Sequence, residues 1–238
     1  MDSITILSTK KLKASINREA AEKGIQILNV DFISIEYITD ESVKKSFAAL
    51  DEYLVFTSQH AAKGFQMNIG PDISLMPFKK VFCLDGETLK AVQAIKNVEV
   101  MSTYRNAEAL ANGIIENHEL KSVSFICGNR RLDHLPKHLN NNNIQVNELI
   151  VYHTTNIGKR IHDTYEAVLF FSPSGVESFF QTNILSRNFP CFCIGETTAA
   201  SVQEHTFNEV IVADRSTQDS MLQAVQQYFS TKKKVNRV

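Results

Sequence analysis

The chain lacks an excess of charge of either sign. Its 25 lysines and arginines nearly balance 26 aspartates and glutamates, which gives a formal net charge of -1. Such a chain has no overall field that would attract nucleic acid or an acidic membrane surface. We therefore expect neither nucleic acid nor a membrane as a partner, and an acidic ligand must be bound by local groups.

Long apolar stretches are also missing. No run approaches the about 20 apolar residues of a membrane-spanning helix. The first residues, MDSITILSTKKLK, place apolar side chains before basic ones, which is the reverse of a secretory signal. These absences predict a soluble protein of the cytoplasm.

Cysteine is scarce, and the seven histidines are scattered. The four cysteines lie in apolar, strand-like runs, which is typical of small core side chains in a reducing compartment. Cys191 and Cys193 are a close pair, but their spacing fits one face of a strand and not a metal-binding turn. We expect no metal site.

Motifs of the common nucleotide and hydrolase sites are absent. The chain has no GxGxxG, no GxxxxGK[ST] and no GxSxG. Ser172 and Ser174 have no evident base in the sequence. The sequence therefore disfavours a phosphate loop and a serine hydrolase.

The sequence does contain a repeated pattern of an apolar run, a turn of hydroxyl and glycine residues, and a helix. Residues 168–171 form an apolar run, residues 172–175 form the turn SPSG, and a helix is predicted to begin near Val176. Residues 192–194 and 195–198 repeat the strand and the turn. Backbone N–H groups at such helix starts suit an anionic group, and neighbouring turns at the carboxyl ends of parallel strands face one crevice.

The same pattern occurs earlier in the chain. When Ser58 is aligned with Ser172, Phe65 aligns with Phe179, and residues 81–88 resemble residues 191–197. This order predicts two similar halves, each with two turns suited to anions. The alternative is that such turns are common to any α/β protein.

Hydrophobic periodicity predicts alternating strands and helices. Residues 64–77, which contain a Gly-Pro step, are predicted to form a loop, and Asn106 is placed to cap a helix. An early helix closing near Gly24 should bury one stripe, formed by Leu12, Ile16, Ala20 and Ala21.

Residues 31–38 and 146–155 are extended, alternating stretches that flank one complete α/β segment. We therefore expect the chain to leave a first domain, build a second one and return. The predicted boundaries are 1–33 with 157–238 for the first α/β domain, 38–150 for the second, and 33–38 with 150–156 for a two-stranded connector.

Basic side chains close to the predicted helix starts suggest a polyanionic ligand of medium size in a cleft between the lobes. Arginine binds a carboxylate through two parallel hydrogen bonds. Tyr152, on the second connector segment, could donate a proton to a departing hydroxyl. Its alternative interpretation is a half-buried strand tyrosine. The basic residues are His60, Lys63, Arg105, Arg130 and Arg131.

Six segments together resemble the uroporphyrinogen-III synthase family, over nearly all of the chain. Members of that family have two flavodoxin-like, three-layer α/β domains with parallel sheets, joined by a two-stranded antiparallel connector. The segments are VFTS (55–58), NAEALA (106–111), CGN and LPKHL (127–139), VYHTT (151–155), FFSPSGVESF (170–179) and IGETTAASV (194–202).

The resemblance implies a cyclising lyase without a cofactor. Its substrate would be hydroxymethylbilane, a linear tetrapyrrole with eight carboxylates. The enzyme would expel the terminal hydroxyl as water and close the ring through a spiro intermediate that inverts ring D, giving uroporphyrinogen III for haem biosynthesis. Nothing in the sequence suggests a coiled coil or a large interface, so a monomer is expected.

The motif matches also imply roles for single residues. Tyr152 falls on the family tyrosine proposed to assist loss of water, and Thr198 on a threonine that faces the cleft. Asp85 stands where the family more often has glycine, and the role of His60 is open. The expected substrate-binding residues are Thr57, Ser58, His60, Thr88, Asn106, Gly128, Asn129, Arg130, Ser172, Ser174, Gly175, Val176 and Thr197.

Two non-catalytic interpretations compete with the enzyme. The first is a two-lobed sensor or receptor for a small anion, and the second is a docking protein with an exposed apolar patch. Conversion of the tetrapyrrole would distinguish the enzyme from both.

Replacing Arg130 with Ala should raise KM for the tetrapyrrole more than it lowers kcat, because the guanidinium is expected to bind a carboxylate that does not react. Steady-state kinetics measure the two constants separately. A fall in kcat at unchanged KM would contradict this positioning role.

Overall fold

The computed structural model describes residues 3–69 and 77–235. Strands and helices alternate along most of the chain. In order they are β1 (Ile4–Ser8), α1 (Ala14–Glu22), β2 (Ile25–Asn29), β3 (Ile33–Tyr37), α2 (Glu41–Ser46), β4 (Tyr53–Phe56), α3 (Gln59–Ile69), β5 (Lys79–Leu84), α4 (Glu87–Gln93), β6 (Val98–Tyr104), α5 (Ala107–Ile115), β7 (Ser122–Gly128), α6 (His134–Asn141), β8 (Gln145–Asn156), β9 (Ala167–Phe170), α7 (Pro173–Phe180), β10 (Cys191–Cys193), α8 (Glu196–Gln203), β11 (Val210–Val212) and α9 (Gln218–Val235).

The chain divides into two compact units. Among the described residues, unit 1 contains those up to Ser34 and those from Thr155 onward, and unit 2 is Ile35–Thr154. The segments 33–38 and 150–156 fall in and next to β3 and β8, at the two places where the chain passes between the units.

Unit 1 is a three-layer α/β structure with a parallel sheet of order β11-β10-β9-β1-β2. Side chains of β9 alternate between the two faces, as a strand requires. Ala167 and Leu169 pack in the cluster that includes α1 and α9, whereas Val168 and Phe170 pack in the cluster that includes α7 and α8. The strand order is that of flavodoxin-like proteins.

Unit 2 has a six-stranded sheet of order β3-β8-β7-β4-β5-β6. The five strands from β8 to β6 are parallel. At the edge, Ile38 N–H donates to the Val151 carbonyl and Ile157 N–H donates to the Phe32 carbonyl, at 3.0 and 2.9 Å. Residue numbers thus run in opposite directions, so β3 and β8 are antiparallel. The predicted fold class, with parallel sheets and an antiparallel strand pair, is confirmed.

Helices cover both faces of the sheet in unit 2. One face packs against α3 and α4 around Phe56 and Phe65, and the other packs against α5 and α6 around Phe125. The four cysteines of the chain are free and buried, as predicted. Burial raises the pKa of the Cys127 thiol to about 12, so this side chain is an uncharged core residue.

Three local predictions need correction. Ala21 is exposed, so the buried stripe of the first helix ends at Ala20. Helix α7 begins at Pro173 and not near Val176, because Ser172 caps it. Residues 64–69 continue helix α3, although a loop was predicted for 64–77; residues 70–76 of that loop lie outside the described residues.

Contacts of Gly64 show why residues 64–69 are helical. A Cβ at this position would lie 2.7 Å from the carbonyl oxygen of Val151 in β8. The glycine therefore allows close packing of α3 on the sheet and does not mark a turn.

Asp51 links three strands at the amino edge of the sheet in unit 2. Its carboxylate accepts hydrogen bonds from the hydroxyls of Ser122 (2.6 Å) and Ser124 (2.7 Å) and from the amide of Asn147 (3.0 Å). Burial acts to raise the pKa of the Asp51 carboxyl, but these hydrogen bonds outweigh it and lower the pKa overall. The folded state thus favours the ionised carboxylate.

Replacing Asp51 with Ala should destabilise the folded chain near neutral pH by about 1–3 kcal/mol, because three donors, of which Ser124 is fully buried, lose their acceptor. Because the pKa is lowered on folding, this stabilisation is present above the unfolded-state pKa of about 3.9 and is lost as the pH falls through the folded-state pKa. Urea unfolding near neutral pH and below about pH 3 should therefore show a stability difference that shrinks in acid. The exposed Glu99→Ala variant is the matched control, and an equal difference for Asp51→Ala at both pH values would contradict the assignment.

Candidate active site

The carboxyl edge of the sheet in unit 2 brings together several of the predicted site residues. Ser58 follows β4, Gly128 ends β7, and Tyr152 lies on the adjacent strand β8. In parallel α/β sheets this edge is where ligands bind. The three residues are far apart in sequence but adjacent in space.

The hydroxyl of Tyr152 is held at the start of helix α3. It donates a hydrogen bond to Ser58 Oγ at 3.2 Å. Ser58 Oγ also accepts a hydrogen bond from the backbone N–H of His60, at 3.1 Å. A serine hydroxyl has two acceptor sites and one donor. Because both contacts use Ser58 as acceptor, the serine O–H remains available to donate to a ligand.

The ring of Tyr152 lies directly against Gly128. A Cβ on Gly128 would be 2.4 Å from the ring atom Cζ and 2.5 Å from Cε2. The register of β7 and β8 shifts at this point, since Cys127 pairs with Ile150 but Gly128 pairs with Tyr152. A one-residue bulge in β8 therefore brings the tyrosine beside the glycine.

Asn129 fixes the backbone of the bulged strand. Its N–H donates to the Tyr152 carbonyl at 3.2 Å, and its Oδ1 accepts the N–H of Thr154 at 2.8 Å. Arg130, the next residue, is exposed in the turn. Backbone and ring of Tyr152 are thus both fixed by the end of β7.

Tyr37 and His60 complete the group, and Tyr37 was not predicted as a site residue. The Tyr37 hydroxyl lies 3.0 Å from Nδ1 of His60, and the His60 ring is 5.8 Å from the Tyr152 ring. Antiparallel pairing of β3 with β8 places Tyr37 beside Tyr152. The alternation of residues 31–38 was a signal for the strand, but the sequence did not reveal which tyrosine it would meet.

The environment keeps Tyr152 in its protonated form. Burial raises the pKa of the Tyr152 phenol; the hydrogen bond with Ser58 acts to lower it, but only in part. Burial also raises the pKa of Tyr37. A neutral, fixed phenol donates a hydrogen bond well and is a poor site for a permanent negative charge.

Other predicted residues of unit 2 have varied surroundings. Thr57 is half-buried, whereas Thr88 in α4 is 8% exposed. Asn106 caps α5, as predicted, because its Oδ1 accepts the N–H of Ala109 at 2.8 Å. In the turn with Asp85, the residue with a positive φ is Gly86, at 66°. This turn therefore has its glycine one position after Asp85.

The turn before α7 in unit 1 satisfies part of its own backbone. Ser172 Oγ accepts the N–H of Gly175 at 3.1 Å, and the Ser172 carbonyl accepts the N–H of Val176 at the same distance. Gly175 and Val176 are buried, and Ser174 is half-buried. The N–H groups of Gly175 and Val176 are therefore already hydrogen-bonded to Ser172.

The turn before α8 exposes one threonine and buries the next. Thr197 is exposed, whereas Thr198 is 2% exposed. Gly195 accepts the N–H groups of Thr198 and Ala199 through its carbonyl, both at 3.1 Å. In unit 1 itself, Thr197 is thus the accessible hydroxyl of this pair.

Residues 3–69 and 77–235 contain no group of three or more side chains suited to a metal ion. Among the helices of the same residues, none is long and apolar enough to cross a membrane.

Comparisons with known proteins show which family and which solved structures the chain is similar to. The family described as Uroporphyrinogen-III synthase HemD matches residues 14–223. The chain is similar to uroporphyrinogen-III synthetase from Helicobacter pylori 26695, with 18% identity, a TM-score of 0.64 and coverage of 96% of this chain and 100% of that one. No protein of curated function matches the chain.

Two structures from the extremely thermophilic bacterium Thermus thermophilus are similar as well. A mutant uroporphyrinogen III synthase has 13% identity and a TM-score of 0.66, covering 96% of this chain and 100% of its own. The wild-type form has 13% identity and a TM-score of 0.53, with coverage of 97% and 99%. At these identities the structural likeness establishes the fold alone.

Replacing Tyr152 with Phe should lower kcat on the tetrapyrrole by about 10² to 10⁴-fold and leave the chain folded, because the change removes one hydroxyl. Turnover and thermal unfolding should be measured together. Tyr53→Phe at the opposite edge of the same sheet is the matched control and should keep full turnover. Wild-type turnover in Tyr152→Phe would exclude the phenol from the reaction.

Proposed function

Since the chain belongs to the uroporphyrinogen-III synthase family, we propose that Tyr152 assists the loss of water from hydroxymethylbilane, which starts the reaction. The chain is a cyclising lyase of tetrapyrrole biosynthesis, and its product is uroporphyrinogen III. Family membership favours this function over a non-catalytic anion-binding or docking protein. The observation that supports Tyr152 most directly is its hydroxyl, fixed at Ser58 while its ring lies on Gly128.

The first step breaks the bond between the terminal carbon and its hydroxyl oxygen. Hydroxide is a poor leaving group, so a donor that hydrogen-bonds the departing oxygen lowers the barrier. The neutral phenol of Tyr152 fits this task. Its proton passes to the hydroxyl as water forms, and the substrate is left as an electrophilic methylene pyrrole.

The second step forms a carbon–carbon bond. The substituted α-carbon of ring D attacks the methylene group, which gives the spiro intermediate. The older bond from this carbon to the methylene that joins rings C and D then breaks, and the free α-carbon of ring D bonds to that methylene, so the ring closes with ring D inverted. When ring D regains aromaticity, one proton leaves carbon. That proton can return to the Tyr152 phenolate, so the enzyme ends in its starting state and the overall change is loss of one water.

We assign the remaining predicted residues to binding the carboxylates of the substrate. Arg130 and Asn129 are exposed beside Gly128, and Ser58 and Thr57 precede α3. In unit 1 we assign Thr197, Ser172, Ser174 and the α7 start with Gly175 and Val176 to the same role. His60, Thr88 and Asn106 complete the binding set of unit 2, and Thr198 is retained as a second catalytic candidate.

Other aspects of the assignment concern the whole protein. We propose that residues 1–33 and 157–238 form one domain, 38–150 the second, and 33–38 with 150–156 the connector. The enzyme acts as a monomer in the cytoplasm, without nucleic acid, metal or cofactor.

The purified chain, given freshly generated hydroxymethylbilane with a chelator and no nucleotide, should yield uroporphyrinogen III. Oxidation to the porphyrin followed by chromatographic separation of the isomers measures the product. A parallel sample without enzyme shows the type I isomer that the free substrate forms. Type I alone in both samples would refute the proposed function.

A further inference from the structure

The backbone conformation at Gly128 does not require glycine. Among the described residues, the glycines with a positive φ are Gly24, Gly86 and Gly158. Gly128 is not in this group, so an alanine could adopt its backbone conformation. The requirement must come from a neighbouring group.

That neighbouring group is the Tyr152 ring. The Cβ of an alanine at position 128 would be 2.4, 2.5 and 2.8 Å from ring atoms Cζ, Cε2 and Cε1. These distances are far below van der Waals contact. The three atoms are the ring carbon that bears the hydroxyl and its two neighbours in the ring. A methyl group here would therefore displace the end of the ring that bears the hydroxyl.

The ring cannot easily move elsewhere. The backbone carbonyl of Tyr152 accepts a hydrogen bond from Asn129 N–H, and the preceding residue, Val151, is fully buried in the core beneath α3. The hydroxyl itself is bound to Ser58 Oγ. A displacement at Gly128 thus breaks or lengthens the hydrogen bond to Ser58.

We propose that Gly128 is a positioning residue that acts through Tyr152, with no necessary contact of its own to the substrate. The glycine at the end of β7 and the bulge in β8 together define where the phenol oxygen lies. This inference rests on the proposed function of Tyr152. It replaces the substrate-binding role that the motif match implied for Gly128.

Gly128→Ala should lower kcat by about 10 to 10²-fold, as expected for an ångström-scale misplacement of a catalytic group, with little change in KM. The chain offers a matched control, because Gly113 in α5 lies against Tyr104 in the same way. A Cβ there would be 2.2 Å from the Tyr104 hydroxyl and 2.4 Å from its ring. Gly113→Ala should lower the melting temperature comparably and leave kcat unchanged.

A double-mutant cycle separates positioning from general damage. In the Tyr152→Phe background the hydroxyl is already absent, so adding Gly128→Ala should change kcat little further. An equal fold-loss in both backgrounds, or full kcat in Gly128→Ala alone, would overturn the proposal. Only the absence of type III product from the wild-type chain would refute the function itself.

A third comparison keeps the proposal testable if Gly128→Ala does not fold. Tyr152→Ala removes the ring, so Gly128→Ala added to it should cost no further stability in thermal unfolding. If the double variant also fails to fold, or unfolds at a markedly lower temperature than Tyr152→Ala, the glycine serves the backbone and the proposal is wrong.

Discussion

The candidate site depends on a contact between a glycine and a tyrosine on neighbouring strands. The Tyr152 ring occupies the space that a side chain at position 128 would need, and the bulge in β8 aligns the two residues. Ser58 then fixes the hydroxyl, and burial keeps the phenol neutral. Without that contact, a tyrosine on β8 would be an ordinary half-buried strand residue.

In the sheet of unit 2, the residues that stabilise the fold and the candidate site residues lie at opposite ends of the strands. At the amino edge, the Asp51 carboxylate accepts three hydrogen bonds from side chains of β7 and β8. At the carboxyl edge, Ser58 retains a hydroxyl proton to donate, and Asn129 and Arg130 are exposed. The same strands therefore carry a hydrogen-bonded polar network at one end and groups accessible to a ligand at the other, and the carboxyl end is where parallel α/β sheets bind ligands.

Sequence reasoning succeeded where local chemistry decides the structure. The strand, turn and helix pattern, the Asn106 cap and the buried cysteines follow from propensity, capping and hydrophobicity, and the structure agrees. The motif match also drew attention to Tyr152, although composition and spacing alone favoured a plain strand tyrosine.

The errors and omissions arise from long-range contacts. The loop prediction was wrong over residues 64–69 because the role of Gly64 is a close contact with the Val151 carbonyl, in a strand almost ninety positions away in sequence. Tyr37 was missed because its neighbours depend on the antiparallel pairing of β3 with β8. Which of Thr197 and Thr198 is exposed depends on the rotation of α8 about its axis, which two adjacent identical residues cannot indicate.

The central claim is that the Tyr152 phenol helps the hydroxyl of the substrate to leave. A hydroxymethylbilane analogue with an acetoxy group in place of that hydroxyl tests it directly, because a carboxylate departs without needing a proton. The measurement is the ratio of kcat between wild type and Tyr152→Phe on each of the two substrates. The account predicts a large ratio for the natural substrate and a ratio near unity for the analogue; an equally large ratio for both would contradict it.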